Sequence, residues 1–191
     1  MDPDVDVALL IRAIEFAARK HRLQRRKDVE ASPYINHPVA LMSVLCVEAG
    51  VCDIEVLSAA ALHDTIEDTQ TTRDEISREF GKKIANIVAE VTDDKSLPKE
   101  ERKRLQIERA PHKSPAASLV TMADKIANLR DVAASPPSGW GLERRQEYFA
   151  WAKAVVDKLP ATHPLLRELF ELAYAQRPRV GWTSNGPAQL S

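Results

Sequence analysis

The sequence contains no apolar stretch near the eighteen or so residues that a membrane-spanning helix needs. Its N-terminal segment, MDPDVDVALLIRAIEF, opens with acidic residues, whereas a secretory signal opens with positive charge before a longer apolar run. Cysteine is scarce too, because only Cys46 and Cys52 occur in 191 residues. Reduced thiols in a reducing cytoplasm explain this usage most simply. These absences predict a cytoplasmic protein with no membrane partner.

The sequence also lacks a charge excess of either sign, since 27 Lys and Arg oppose 28 Asp and Glu for a net charge of -1. A near-neutral chain argues against nucleic acid as a partner. At 44% hydrophobic residues and a length that buries roughly 70% of the unfolded surface, one globular domain is expected. No repeat or composition shift marks an internal boundary. We therefore predict one domain over residues 1–178 and a flexible tail over residues 179–191.

Strand signals are nearly absent, because apolar residues follow a 3.6-residue period and not a period of two. The predicted fold class is all-α, a single-domain helical bundle of about nine helices. Capping residues locate several starts, with Asp53, Thr72 and Ser114 each expected at an N-cap. The third predicted helix begins at about residue 54 and carries the segment ALHDTIEDT. The other predicted helices cover approximately residues 5–22, 38–49, 72–81, 82–92, 98–110, 115–131, 142–159 and 162–177.

Acidic and imidazole side chains are concentrated in the segment ALHDTIEDT, residues 61–69. Residues four apart on an α-helix lie one above the other, so His63 is expected over Glu67 and Asp64 over Asp68. Like charges at this spacing repel each other unless a cation lies between them. The segment therefore predicts a metal ion, whose further ligands come from other helices.

Four residues qualify as ligands of one divalent ion, namely His37, His63, Asp64 and Asp124. Two imidazoles and two carboxylates suit Mn²⁺, Fe²⁺, Co²⁺ or Zn²⁺ better than Ca²⁺. An ion of this kind lowers the pKa of the water it coordinates. Glu67 and Asp68 then gain a catalytic role, because they can hold this water and take its proton, or protonate the leaving oxygen.

Each of these residues also has an ordinary interpretation. A histidine beside a proline, such as His37, commonly satisfies backbone groups at a helix start, and an HD dipeptide occurs by chance in many proteins. Asp124 has Lys125 beside it as a simple ion-pair partner. The metal hypothesis therefore depends on the conjunction of the four residues. The other histidines lie in basic or loop contexts and are expected to be ordinary: His21, His112 and His163.

Six ordered stretches of the chain resemble the hydrolase domain of RelA/SpoT enzymes, within the HD metal-dependent phosphohydrolase superfamily. They are QRRKDVEASPYINHP, ALHDTIEDT, VTDDKSLPKEERKRLQ, APHKSP, ADKIANLRD and GWGLERRQEYFAWA. The resemblance extends from about residue 6 to about residue 177, and it is strongest to stand-alone small alarmone hydrolases and their animal SpoT homologues. No synthetase or regulatory region is expected to follow, so a hydrolase alone is expected.

This resemblance implies a Mn²⁺-dependent 3′-pyrophosphohydrolase that degrades (p)ppGpp to GDP or GTP and pyrophosphate. It implies the four metal ligands and the Glu67–Asp68 pair already named. Mn²⁺ rests on the resemblance alone, because ligand type by itself favours Zn²⁺ at such a site. The resemblance also implies a group of side chains around the nucleotide: Arg26, Lys27, Asn128, Trp140, Arg144 and Tyr148.

The residues themselves support a nucleotide site in part. Residues 19–27, RKHRLQRRK, place six Arg or Lys in nine positions, which is usually a solvated face but also suits a substrate with two pyrophosphates. Arg26 or Tyr34 can stack on a purine, and Asn128 follows Asp124 by four residues and shares its helix face. Core packing and a surface ion pair are the alternative roles for Trp140, Arg144 and Tyr148.

One position departs from the resemblance, because Ala127 stands where related enzymes carry a larger Tyr or His. A smaller side chain on a site-facing helix is expected to widen the pocket, so (p)ppApp and the 2′-phosphate of NADPH are alternative substrates. A non-catalytic nucleotide sensor is a second alternative, which the presence of Glu67 and Asp68 disfavours. The oligomeric state is not predicted, because the pattern does not separate apolar surface from core.

Overall fold

A computed structural model describes residues 3–160 and 163–179 of the chain. Within these ranges it consists of ten α-helices, one π-helical turn, one 3₁₀ turn and no strand. The α-helices are α1 Pro3–Lys20, α2 Asn36–Met42, α3 Ile54–Leu62, α4 Thr65–Asp68, α5 Arg73–Phe80, α6 Lys82–Val91, α7 Lys99–Arg109, α8 Pro115–Ala134, α9 Leu142–Val156 and α10 Pro164–Ala175. The predicted all-α class is confirmed.

Two central helices, α3 and α8, organise the bundle. Every residue of α3 from Val56 to Leu62 is buried, and α8 contributes further fully buried residues such as Ile126 and Leu129. A helix that is apolar all round lies inside a protein, and here α1, α2, α6 and α8 surround α3. Because α3 and α8 are both held in the core, the residues at their polar ends have fixed positions.

The predicted helix starts are explained by side-chain caps. The Asp53 carboxylate accepts the N–H groups of Glu55 and Val56 at 2.9 and 3.1 Å. The Thr72 hydroxyl caps α5 and the Ser114 hydroxyl caps α8, each through one backbone N–H. Such caps satisfy N–H groups that have no partner inside the helix, so these three predicted N-caps are confirmed.

The third predicted helix is wrong in one respect, because it is not continuous. It ends at Leu62, and Asp64 adopts φ -98° and ψ -2° before the short helix α4 begins at Thr65. The Thr65 hydroxyl donates to the carbonyl oxygen of Leu62, a local bond that competes with helix continuation. This break raises the helix count from the nine predicted to ten. The Asp68 N–H still donates to the Asp64 carbonyl at 2.8 Å, so one turn of the expected spacing is kept.

Other predicted boundaries differ by a few residues. The second helix becomes a π-helical turn over Ser43–Glu48, and α1 ends at Lys20. The predicted start of the last helix at Thr162 lies outside the described residues, as do residues 180–191 of the predicted tail. The division into a domain and a tail therefore stays a prediction.

The two cysteines differ from expectation. Cys46 lies in the π-helical turn and Cys52 in the segment before α3, and their Cα atoms are 4.6 Å apart. The structure pairs them in a disulfide, so the expectation of reduced thiols is wrong for this state. The reason is geometric, because the chain reverses at Gly50, whose φ is +71°. The predicted cytoplasmic location stays a prediction.

The segment between α1 and α2, predicted to be irregular, doubles back on itself. The Arg26 N–H donates to the Ser32 carbonyl and the Tyr34 N–H to the Gln24 carbonyl, around an isolated bridge between Arg25 and Pro33. These bonds bring the basic run next to the start of α2. None of the helices in the described ranges has the length and apolar character needed to cross a lipid bilayer.

Candidate metal centre and nucleotide cavity

Three predicted ligands converge from three helices. His37 lies in the first turn of α2, His63 directly follows α3, and Asp124 lies in the middle of α8. One nitrogen of each histidine and one oxygen of Asp124 lie within 4.8 Å of one another. His37 Nε2 is 3.2 Å and His63 Nε2 is 4.0 Å from Asp124 Oδ1. Such a cluster has the donor atoms and spacing that a divalent metal requires.

The fourth predicted ligand, Asp64, lies at the edge of this cluster. Its Oδ2 is 2.9 Å from His63 Nε2 and 4.0 Å from His37 Nε2. The Tyr34 hydroxyl donates a hydrogen bond to the same oxygen and fixes its direction. The break after α3 explains why two adjacent residues, His63 and Asp64, face a common point.

The hydrogen bonds of His63 fit a metal ligand. Its Nδ1 lies 2.9 Å from the carbonyl oxygen of Ala60, so Nδ1 carries the proton and donates. The Nε2 is then the nitrogen that faces the cluster, 2.9 Å from Asp64 Oδ2, where it can hold either a proton or a metal ion.

The charges of the cluster also suit a cation. Burial lowers the pKa of the His63 imidazole, but the Asp64 and Asp124 carboxylates outweigh it and raise the pKa to about 9. Burial raises the pKa of both aspartates, whereas His63 beside Asp64 and Lys125 beside Asp124 hold each well below its usual range. Both carboxyls are therefore ionised at neutral pH. A divalent ion would take the place of the imidazole proton.

The Glu67 carboxyl lies in α4, one turn beyond Asp64. It accepts the Asp93 N–H at 3.2 Å and contacts the Arg102 guanidinium at 3.4 Å. Burial, followed by the Asp64 charge, raises the pKa of Glu67 to about 7. A carboxyl with a pKa near neutrality can both accept and release a proton at working pH.

The Asp68 carboxyl is held from both sides. The Gln24 amide donates to its Oδ2 at 2.7 Å, and Lys95 forms an ion pair with Oδ1. Gln24 in turn accepts from His21 Nδ1 at 2.7 Å, and His21 is 3% exposed. His21 was expected to be ordinary, but it belongs to the chain of contacts that fixes Asp68.

A cavity of about 490 Å³ opens over the cluster. All of the residues predicted from sequence as ligands, catalytic pair or nucleotide contacts line it: Arg26, Lys27, Tyr34, His37, His63, Asp64, Glu67, Asp68, Asp124, Asn128, Trp140, Arg144 and Tyr148. The structure thus brings together residues from four separate stretches of the chain, 26–37, 63–68, 124–128 and 140–148. Their contacts with a nucleotide stay predictions.

One wall of the cavity is aromatic. The Arg144 guanidinium lies 4.5 Å from the centre of the Trp140 ring, and the Trp140 and Tyr148 rings are 5.5 Å apart. Arg144 and Tyr148 lie in α9, and Trp140 lies just before this helix. The three residues therefore share one side of the cavity. Burial and the Asp124 charge raise the pKa of Tyr148, so its hydroxyl stays protonated and can donate.

Some predicted nucleotide contacts have protein partners of their own. The Arg26 guanidinium forms an ion pair with Asp131, and the Tyr34 ring lies 4.8 Å from the His21 ring. The Asn128 amide donates to Asp124 Oδ1 at 2.6 Å and so orients that carboxylate. Tyr34 and Asn128 therefore position ligands as well as line the cavity.

Ala127 does not face the cavity in the structure. It is 4% exposed and packs in the hydrophobic core, and it is not among the described residues that line the cavity. The expectation that a small residue here widens the pocket stays a prediction.

Sequence reasoning missed several cationic and amide groups in the cavity wall. They are Lys99, Arg102, Lys103, Lys113 and Lys125, together with Gln24, which lines an adjoining cavity. Three of them lie on α7, which has no buried residue and reads as a solvated helix. Four of these six residues lie in the stretches VTDDKSLPKEERKRLQ and APHKSP. The family resemblance of those two stretches was the signal that could have found them.

Comparison with known proteins agrees with this geometry. A family model described as HD domain matches residues 13–149. The chain is 55% identical over 172 residues to the human protein named guanosine-3′,5′-bis(diphosphate) 3′-pyrophosphohydrolase MESH1, covering 90% of this chain and 96% of that one. The Xenopus tropicalis protein of the same name is 56% identical over 161 residues, covering 84% and 90%.

A solved structure is similar throughout the bundle. It carries the description of a metazoan ortholog of SpoT that hydrolyzes ppGpp and plays a role in starvation responses. The TM-score is 0.86 at 47% identity, and the alignment covers 89% of this chain and 96% of that one.

Proposed function

The chain belongs to the HD-domain family, among the MESH1-type 3′-pyrophosphohydrolases, and on this premise we propose that it hydrolyses (p)ppGpp to GDP or GTP and pyrophosphate. The chain is thus a hydrolase of a small nucleotide. One observation carries the proposal. Two imidazoles and two aspartates cluster beside Glu67, in a cavity with a cationic wall, and the carboxyl of Glu67 has a pKa of about 7.

The proposed metal ligands are His37, His63, Asp64 and Asp124. A bound divalent ion would supply a polarised water, ionised near neutrality. We propose Mn²⁺ as this ion. Removal of metal with EDTA is expected to abolish hydrolysis, and Mn²⁺ is expected to restore it better than Mg²⁺ or Zn²⁺. Full activity in EDTA would refute the metal proposal.

Glu67 is proposed to take the proton of the attacking water. Oxygen then bonds to the 3′-phosphorus, the bond from phosphorus to the ribose 3′-oxygen breaks, and pyrophosphate leaves with the new oxygen. The ribose oxygen needs a proton, which Glu67 or Asp68 can return. The Gln24 and Lys95 contacts hold Asp68 in place for this step.

The nucleotide is proposed to lie along the aromatic and basic wall of the cavity. Trp140, Tyr148 and Tyr34 offer flat rings, and Asn128 offers an amide near the ribose. Arg26, Lys27 and Arg144 offer positive charge to phosphate oxygens. The proposed location is the cytoplasm.

Product analysis tests this function directly. The protein is incubated with Mn²⁺ and, separately, with ppGpp, ppApp, NADPH and a deoxynucleoside triphosphate, and the products are separated by ion-exchange chromatography. We expect GDP and pyrophosphate from ppGpp in equal amounts. Silence towards ppGpp, with the metal bound, would reject the proposal, and binding of ppGpp without turnover would instead establish a sensor.

A further inference from the structure

Three lysines line the cavity over the metal cluster. They are Lys103 of α7, Lys113 in the segment before α8, and Lys125 of α8. The ammonium groups of Lys103 and Lys125 lie 5.8 and 4.4 Å from the centre of the Trp151 ring. The Trp151 indole donates to the Lys103 carbonyl at 3.2 Å, which fixes the ring between them.

These lysines are unusually enclosed for cations. Lys125 is 4% exposed, and the Lys103 side chain is 23% exposed. Burial, followed by the charge of Lys125, lowers the pKa of Lys113 to about 8. Buried like charges are unfavourable unless an anion lies between them.

The carboxylates near these lysines have other partners. Asp124 is 3.0 Å from Lys125 but belongs to the metal cluster. Asp93 accepts the Gln106 amide at 2.6 Å, and Glu90 accepts the Ser114 N–H at 2.7 Å. Glu100 is 3.9 Å from Lys103 but is 81% exposed. The protein therefore leaves positive charge available to a ligand.

The position of the lysines relative to the metal cluster indicates which ligand group they meet. A second cavity, of about 560 Å³, shares Glu67, Asp68 and Asn128 with the first and extends past Val132 and Pro137, where no lysine of this trio lines it. The two cavities thus meet at the reacting centre. The second cavity, which these three lysines do not line, suits the nucleoside, and the part of the first cavity that they line suits what remains on the other side of the reacting phosphorus.

We propose that Lys103, Lys113 and Lys125 form a subsite for the terminal phosphoryl group of a ribose-bound diphosphate, the group that leaves as pyrophosphate. The inference rests on the proposed function, since that function places the first phosphorus at the metal cluster. The subsite selects a diphosphate over a monophosphate on the ribose, because a monophosphate does not extend to these lysines. The subsite gives a role to the positive charges of these three lysines, which the hydrolysis step does not use.

Lys113 gives the sharpest test, because no ring contact to Trp151 and no ion pair with a proposed metal ligand involves it. Its ammonium donates to the Glu90 carbonyl oxygen, and the arginine variant keeps a donor for that contact. The variants are Lys113→Gln, the charge-keeping Lys113→Arg, and Lys83→Gln as a control. Lys83 is an 80% exposed lysine paired with Glu55. Binding of pyrophosphate and of inorganic phosphate to the Mn²⁺-loaded protein is measured by titration calorimetry, and folding by circular dichroism.

We expect Lys113→Gln to weaken pyrophosphate binding about tenfold and phosphate binding less than twofold, as loss of one charge-assisted contact predicts. Lys113→Arg should stay within about threefold of the parent, and Lys83→Gln should match it. In kinetics, the KM for ppGpp should rise about tenfold, with no rise for the analogue that has a 3′-monophosphate.

If Lys113→Gln weakened the binding of pyrophosphate and of phosphate equally, or left the pyrophosphate affinity unchanged, the subsite proposal would be overturned. A folded parent protein that binds pyrophosphate no more tightly than phosphate would overturn it as well. The two binding measurements do not depend on turnover of a substrate. A protein that binds pyrophosphate as expected but leaves ppGpp intact would support the subsite and refute the proposed function.

Discussion

Replacement of Glu67 by glutamine tests whether this carboxyl moves the proton of the attacking water. Glutamine keeps the length of the side chain and an oxygen that can accept the Asp93 N–H, which lies 3.2 Å from Glu67 Oε2. The other carboxylate oxygen, which accepts from Arg102 at 3.4 Å, becomes an NH₂ group, so that contact is lost. The substitution therefore removes proton exchange while it keeps the shape of the side chain and the Asp93 contact.

The expected loss follows from the position and pKa of Glu67. Transfer by a positioned group with a pKa near working pH contributes about 10²–10⁴-fold, which corresponds to about 3–5 kcal/mol of transition-state stabilisation. Since burial and Asp64 raise the pKa of Glu67 to about 7, a large share of the parent protein carries the base form at neutral pH. We expect kcat of Glu67→Gln to fall by about two to four orders of magnitude.

The pH dependence has a definite sign. The base form is needed, so the parental rate should rise as pH increases through about 7 and then level off, and the variant should lack this rise. A carboxyl with a raised pKa disfavours folding once it ionises, so its contribution to stability is lost between about pH 4.5 and 7. Glutamine stays neutral, and the variant should melt no lower than the parent at pH 8.

The assay is chromatographic release of GDP from ppGpp in saturating Mn²⁺, with melting followed by circular dichroism. Glu15→Gln is the matched control, because Glu15 is 69% exposed and pairs with Arg19 on the surface of α1. It should keep the parental rate. A folded Glu67→Gln protein that turned over ppGpp within about threefold of the parent, with the same rise near pH 7, would contradict the role of Glu67.

Three further predictions follow from the metal cluster, from Asp68 and from a helix cap. Asp124→Asn removes a charged ligand, and calorimetry should show at least about tenfold weaker Mn²⁺ binding, since a metal site depends on ligand charge; an affinity within threefold of the parent would contradict the assignment. Gln24→Leu removes the amide that holds Asp68, so kcat should fall about tenfold while Mn²⁺ affinity is unchanged, and equal loss of both would point to general disruption. Asp53→Ala removes the acceptor of two backbone N–H groups at the start of α3 and should lower the free energy of unfolding by about 1 kcal/mol in urea titrations; no change would show that water replaces the cap fully.

Local chemistry determined the features that the sequence predicted well. The N-caps at Asp53, Thr72 and Ser114 depend on bonds between residues two or three positions apart, and such bonds form wherever the chain turns into a helix. Helical periodicity likewise gave the all-α class. The break at His63 and Asp64 was not predicted, although the bond from the Thr65 hydroxyl to the Leu62 carbonyl that accompanies it is local as well.

The sequence also predicted which residues form the candidate metal cluster, since few residues offer an imidazole or a carboxylate in this arrangement. It could not show that Gln24 holds Asp68 across 44 residues, or that Asp93 donates to Glu67 across 26. It could not show either that Ala127 packs in the core.

Local bonds and residue types thus belong to the sequence alone, because a few neighbouring residues decide them. The enclosure that sets the pKa of Glu67, the meeting of three lysines and the pairing of Cys46 with Cys52 arise only when the helices pack. Burial and long-range proximity depend on the whole chain. Only the tertiary structure fixes the distances on which the electrostatics of the site depend.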